Sequence, residues 1–203
     1  MSLHERARLW YRALQPSEID KVIDEYKGKE SLKETLFNIF LSSLLQGVAT
    51  LIAVAAGFAL IGLFLEPSAV ISFEYLVFMG GVGALFGTMY AAVMVIVTPI
   101  AFFLIQAMHY GLARLFGGKG SFTQQAFFMG LVSAAVTAAS VLVLIPCAGA
   151  LAVSIAAVIG IYIDYRIIKN IHSLSTNSAA AVALIPQLVW FVIYILLEVA
   201  ARY

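Results

Sequence analysis

The sequence predicts an all-α fold, a polytopic membrane bundle of five transmembrane helices with a cytoplasmic N-terminus and an extracytoplasmic C-terminus. Three observations carry that expectation. Of 203 residues, 63% are hydrophobic and 11% charged, against roughly 45–50% and 25% in an ordinary soluble domain, so polar surface is too scarce to coat a globule in water. Four uncharged stretches, Thr35 to Leu65, Tyr75 to about Leu112, Phe122 to Ile163 and Asn177 to Leu197, reach or exceed the ~20 residues that cross a hydrocarbon core of ~30 Å. The lysines and arginines fall in segments that share one side of the membrane if the chain crosses it five times.

Residues 1–34 form a charged, cytoplasmic N-terminal unit of amphipathic helices. The stretch "SLHERARLWYRAL" places Leu3, Ala7, Trp10, Tyr11 and Leu14 on one helical face, ringed by His4, Arg6, Arg8 and Arg12, the pattern of a basic helix in the headgroup plane. A second helix, Glu18 to Lys27, offers Ile19, Val22, Ile23 and Tyr26 as its apolar stripe. Ser17 with Asp20, and Ser31 with Glu34, have the spacing of an N-cap hydroxyl and a third-position carboxylate. Two readings are open for this unit: both helices pack on the bundle, or they present a docking surface to another protein. No cleavable signal is expected, because the first apolar run is too long for a signal-peptide core and reads as an anchor that stays.

Residues 35–203 carry the spans, expected at about 35–65, 75–116, 122–145, 148–171 and 177–200. The third apolar stretch is too long for one helix and breaks at "LIPCAG", where Pro146 lacks an amide donor and Gly149 relaxes the backbone. The second stretch contains Pro99, and charge decides whether it is one span or two. Read as one, the inside segments hold Arg6, Arg8, Arg12, Lys21, Lys27, Lys29, Lys33, Arg114, Lys119, Arg166 and Lys169, leaving Arg202 outside, 11 against 1. Cut at Pro99, Arg114, Lys119, Arg166 and Lys169 move out and Arg202 moves in, 8 against 4. The positive-inside rule selects one long helix, kinked near Pro99. The extracytoplasmic pieces are then only Glu66 to Glu74, the Pro146 turn and "EVAARY".

The loop "RLFGGKGSF", residues 114–122, superficially resembles a phosphate-binding loop. A P-loop needs G-x-x-x-x-G-K-[ST] after a strand; here the outer glycine position is Ala113 and Gly120 follows Lys119. The loop reads instead as a hairpin, with Gly117 or Gly118 ending one helix and Ser121 with Gln124 capping the next. Lys119 stands where it can meet a lipid phosphate, beside a helix N-terminus.

Chemistry-bearing residues are sparse. The central thirds of the spans hold no ionisable group, and Gln46, Thr88, Gln106 and His109 are candidates to line a polar groove, against the alternative that they bridge helices. His172 could approach His109 only through the fold. Asp164 is expected to pair at the surface with Arg166, Lys169 or Lys119. Arg114, Lys119, Arg166, Lys169, Trp10 and Arg12 are candidates for lipid or partner contact. Gly83 with Gly87, and the ladder Ala148, Ala152, Ala156 and Gly160, are helix-packing or homo-oligomer surfaces. Thr176 or Asn177 is expected to cap the last span. The single cysteine, Cys147, excludes an internal disulfide and a cysteine metal cluster. No catalytic, metal or cofactor site is expected, and no nucleic-acid partner.

The stretches "GLARLFGGKGSFTQQAF" and "IHSLSTNSAAAVALI", with a proline-containing turn between spans three and four, resemble the Ypt-interacting protein (Yip) domain family of five-span membrane proteins over about residues 30 to 200. The resemblance implies a non-enzymatic integral membrane protein. Eukaryotic members organise vesicle traffic between endoplasmic reticulum and Golgi and bind small GTPases. The charged N-terminus here is shorter than theirs, with no counterpart of their cytosolic region. A prokaryotic plasma membrane is the expected location, an endomembrane if the host is eukaryotic.

Two functions follow as expectations. The first is a membrane scaffold or adaptor that engages lipid headgroups or a cytoplasmic partner. The second is a small transporter, channel or lipid-moving protein using a polar groove, and a structure in which the polar groups line a continuous cavity would put it first.

Overall fold

The structure, a computed structural model, describes residues 1–65, 73–144 and 148–200. Among them the elements are helical throughout: α1 (Leu3–Ala13), α2 (Ile19–Tyr26), α3 (Leu32–Leu65), α4 (Phe73–Leu115), α5 (Phe122–Ala139, continued as a 3-10 turn over Ser140–Leu144), α6 (Ala148–His172) and α7 (Thr176–Ala200). Among the described residues four helices, α3, α4, α5 and α7, are long and apolar enough to cross a membrane. Their outer faces expose large apolar side chains, such as Phe78, Leu85, Ile96 and Leu104 on α4 and Leu188, Phe191 and Leu196 on α7. Apolar surface on that scale is stable against lipid rather than water. The chain is therefore a multi-pass helical membrane protein. Of the expected outer pieces, the Pro146 turn and residues 66–72 of the Glu66 to Glu74 segment lie outside the described residues, while Glu74 is already in α4.

α4 runs as a single helix with Pro99 inside it. α3 packs along it most extensively, because small residues let the two backbones close up. A Cβ at Gly83 would lie 2.8 Å from Phe58 Cβ and 2.9 Å from Ala55 Cα; one at Gly87 would lie 3.0 Å from Leu51 Cα. Gly47 on α3 faces Ala91 in return, at 3.1 Å. The Gly83–Gly87 face is thus occupied by α3 of the same chain. Gly160 approaches Val136, its would-be Cβ 3.3 Å from Cγ2, and so brings α6 close to α5.

α5 is the central helix, with Ala126, Phe127, Phe128, Met129, Leu131 and Val132 all buried. Its N-terminal half joins the ends of α4, α6 and α7 in one apolar core, which α1 and α2 close with Leu9, Trp10, Ala13, Ile19, Val22 and Ile23. Both short helices therefore pack on the bundle. The α2 stripe is as predicted, but the α1 face is not. Leu3 is 69% and Tyr11 68% exposed, while Arg6, Leu9, Trp10 and Ala13 face inward. The phase is set by α3: Arg6 Nη1 and Trp10 Nε1 both donate to Asn38 Oδ1, at 3.0 and 3.2 Å, and Arg6 pairs with Glu34 at 2.7 Å.

Two helix starts, those of α2 and α7, differ from expectation, and that of α1 was not foreseen. α1 is capped by a reciprocal pair, Ser2 with Glu5. α2 follows Glu18 without a side-chain cap, and Ser17 plays no such part, because the Gln15 carbonyl already accepts the amides of Glu18 and Ile19 in a backbone turn. α7 is capped by Ser175, whose Oγ accepts from the Ser178 amide at 3.3 Å, one residue earlier than Thr176.

Candidate functional site

The 114–122 hairpin is built for close approach. Gly117 ends α4 at φ +83, a left-handed conformation that glycine adopts without strain. Gly118 and Gly120 then lie against the end of α6: a Cβ on Gly118 would be 2.9 Å from His172 Nδ1, and one on Gly120 would be 2.7 Å from the Ile171 carbonyl oxygen. The Lys119 amide donates to the His172 carbonyl at 3.2 Å, and Arg114 Nη1 to the Gly118 carbonyl at 3.0 Å. Ser121 and Gln124 form the predicted capping box. The Lys119 side chain is exposed.

Behind the hairpin, a chain of hydrogen bonds ties three helices together. Gln125 Nε2 donates to the Gln106 carbonyl at 2.9 Å and to Gln106 Oε1 at 3.1 Å, which leaves Gln125 Oε1 to accept from His172 Nε2 at 2.9 Å. His172 Nδ1 is then the bare nitrogen, buried and without a partner. Burial, and next the Arg114 charge, hold the His172 imidazole below its ordinary value, so the neutral ring is favoured.

Gln106 also lines a cavity of about 350 Å³ between α4, α5, α6 and α7. Its polar lining is Thr98, Gln106, His109, Ser133, Thr137, Asp164 and Gln187. Phe102, Met129, Val132, Val136 and Ile161 supply apolar wall. Thr98 to His109 covers about 16 Å of helix axis, so the space is elongated along the bundle. His109 is 1% exposed. Its Nδ1 lies 3.0 Å from the Ile105 carbonyl, which can only accept, so the neutral ring carries its proton there and Nε2 is a bare acceptor. Nε2 has no hydrogen-bond partner; the Ala183 backbone comes near the ring without completing one. Asp164 has no hydrogen-bond or ion-pair partner among the described residues. Gln187 both lines the cavity and is exposed on α7, so the cavity reaches the outside of the bundle there.

The expected surface pairing of Asp164 does not occur. Arg166 instead pairs with Asp20 on α2, which also accepts from Asn170 at 3.2 Å, and Lys169 donates to Thr176 Oγ1 at 3.1 Å. Helix rotation explains this: Asp164 shares a face with Ala157, Gly160 and Ile161, all lining the cavity, and that face points away from Arg166. Of the four predicted groove residues, Gln106 and His109 line the cavity. Gln46 is half-buried on α3 outside it, and the Thr88 hydroxyl donates to the Ala84 carbonyl on the exposed side of α4. Of the predicted contact residues, Trp10 is only 6% exposed and cannot serve, and Arg12 is engaged by Glu25 at 2.9 Å and Glu18 at 3.6 Å. Ala152 and Ala156 are half-buried on α6. Gln187 escaped the sequence reading, and Asp164 was read as a surface residue, although the spacing 157, 160, 161, 164 is a helical stripe that ends on a carboxylate.

No group of three or more metal-ligating side chains occurs among the described residues. The fold and this cavity define a multi-pass helical membrane protein with a pocket inside its bundle that several polar side chains line. No protein-family model, curated protein or solved structure matches the chain.

Proposed function

We propose that the chain is a five-span membrane protein of the Yip kind, with α6 as the remaining span, and that it acts as a small transporter or lipid-moving protein through the cavity between α4, α5, α6 and α7. The N-terminal helices, the 114–122 hairpin and the α6–α7 turn lie on the cytoplasmic side in this reading. One observation carries it: an internal cavity lined by Gln106, His109 and Asp164 that opens sideways at Gln187. Apolar side chains could fill that space at no cost in lipid, whereas an unpaired carboxylate beside it is expensive to keep. A lateral opening suits a ligand that arrives from the bilayer.

The scaffold reading comes second. α1 and α2 have their apolar faces in the core and much of their charge paired within the chain, so little of the expected docking surface is free. It keeps support from the exposed Leu115, Phe116 and Lys119 at the hairpin, which suit headgroups or a cytoplasmic partner.

Purified protein in liposomes separates the two. Transbilayer movement of an NBD-labelled phosphatidylethanolamine, read by dithionite quenching, or uptake of a small fluorescent solute, is expected with the native chain and is abolished by Gln106→Leu or His109→Leu. Absence of both fluxes would sink the transport reading.

A further inference from the structure

We infer that the cavity binds a cationic amine, with Asp164 as its counter-ion; this rests on the cavity reading above and names the ligand class. Two side chains of the lining carry an acceptor without a partner among the described residues. Asp164 contributes a carboxylate with no partner, and His109 an Nε2 lone pair with no donor. Thr98, Ser133 and Thr137 add hydroxyl oxygens along the same wall. An ammonium group carries one positive charge and several N–H donors, which is the complement of that set. An anion would meet the Asp164 carboxylate with no lysine or arginine in the lining to offset it.

The nearby cations are committed elsewhere, Arg166 to Asp20, Lys169 to Thr176 and Arg114 to the Gly118 carbonyl. A carboxylate in a low-dielectric site is stable when a counter-charge joins it. The aromatic face of Phe102 can add attraction for a cation, and Met129, Val132 and Val136 can hold an apolar substituent. The same ammonium chemistry is found on an aminophospholipid headgroup and on a free amine.

The test uses the full-length chain in neutral detergent, with binding followed by intrinsic fluorescence. The probes are n-butylammonium and phosphatidylethanolamine, with n-butanol and phosphatidylglycerol as neutral and anionic controls. Saturable binding of an ammonium probe, absent with both controls, is expected, with at least a tenfold loss of affinity in Asp164→Asn. Butylammonium binding identifies a free amine as sufficient; binding of phosphatidylethanolamine alone identifies the headgroup. Ala157→Phe, which sets a bulky ring at the cavity wall and leaves the carboxylate in place, is expected to abolish binding while the helical circular dichroism is kept. That variant decides the matter should Asp164→Asn fail to fold. Binding of neither ammonium probe, equal binding of the controls, or binding undiminished in Asp164→Asn or Ala157→Phe would overturn the inference. Flux that depends on Gln106 and His109 but is indifferent to amines and to Asp164 would overturn it too, leaving the transport reading standing. Amine binding through Asp164 without flux would overturn transport alone.

Discussion

At Gly118 and Gly120 the packing leaves room for a hydrogen atom and nothing larger. A methyl group at either position would meet backbone or side-chain atoms at under 3.0 Å, so Gly118→Ala and Gly120→Ala are each expected to destabilise the protein by ~1–3 kcal/mol, through overpacking that the hairpin cannot relieve. Lys119→Ala, between them and exposed, is expected to change stability by no more than about 0.5 kcal/mol. Thermal unfolding in detergent checks both, and a Lys119 effect as large as that of the glycines would contradict the hairpin's structural role. The glycines were readable as turn residues in the sequence; their fit against His172 was not, since that partner lies on another helix. His172 adds a pH dependence. Its folded-state value is lowered, by burial and then by Arg114, so the unfolded chain binds its proton more readily. Stability from this group is full above the ordinary imidazole range near ~6.5 and is lost as pH falls through that value towards the lowered one. Melts recorded between neutral and mildly acidic pH should therefore show acid destabilisation that His172→Gln reduces.

Among the elements, α1 shows most plainly how a helical stripe can be misread. A charged residue, Arg6, occupies the buried face, and Trp10, packed in the apolar core, shares with it the Asn38 acceptor. Asn38→Ala removes the acceptor shared by both donors and is expected to cost ~1–3 kcal/mol, the penalty for buried polar groups left unmade. Faster tryptic cleavage at Arg8 or Arg12 would report the loosened helix, and unchanged cleavage would refute Asn38 as its anchor. α2, by contrast, was readable from its sequence because Ile19, Val22 and Ile23 form an uninterrupted stripe. α3 and α4 meet along a small-residue face that the sequence also marked, though the choice of α3 as its occupant required the fold.

For the whole molecule, the proposed five-span topology makes a labelling prediction. Cys147, the sole cysteine, belongs to the expected outer turn, so a membrane-impermeant maleimide should label it in intact cells. A cysteine at Lys119, in a Cys147→Ser background, should react only after the membrane is opened. Labelling of both from outside would defeat the topology.

Hydropathy by itself determined the class of this protein and where its long helices run, because length and apolar content are additive along a chain. It could not determine which side of each long helix faces its neighbours. In lipid the outer face is as apolar as the inner one, so the amphipathic signal that orients a helix in a water-soluble protein is nearly lost. Only the tertiary structure decided that Gln106, His109 and Asp164 share one cavity while Thr88 faces outward. Close packing at glycines and the pairing of scarce polar groups fixed those rotations, and both depend on residues distant in sequence.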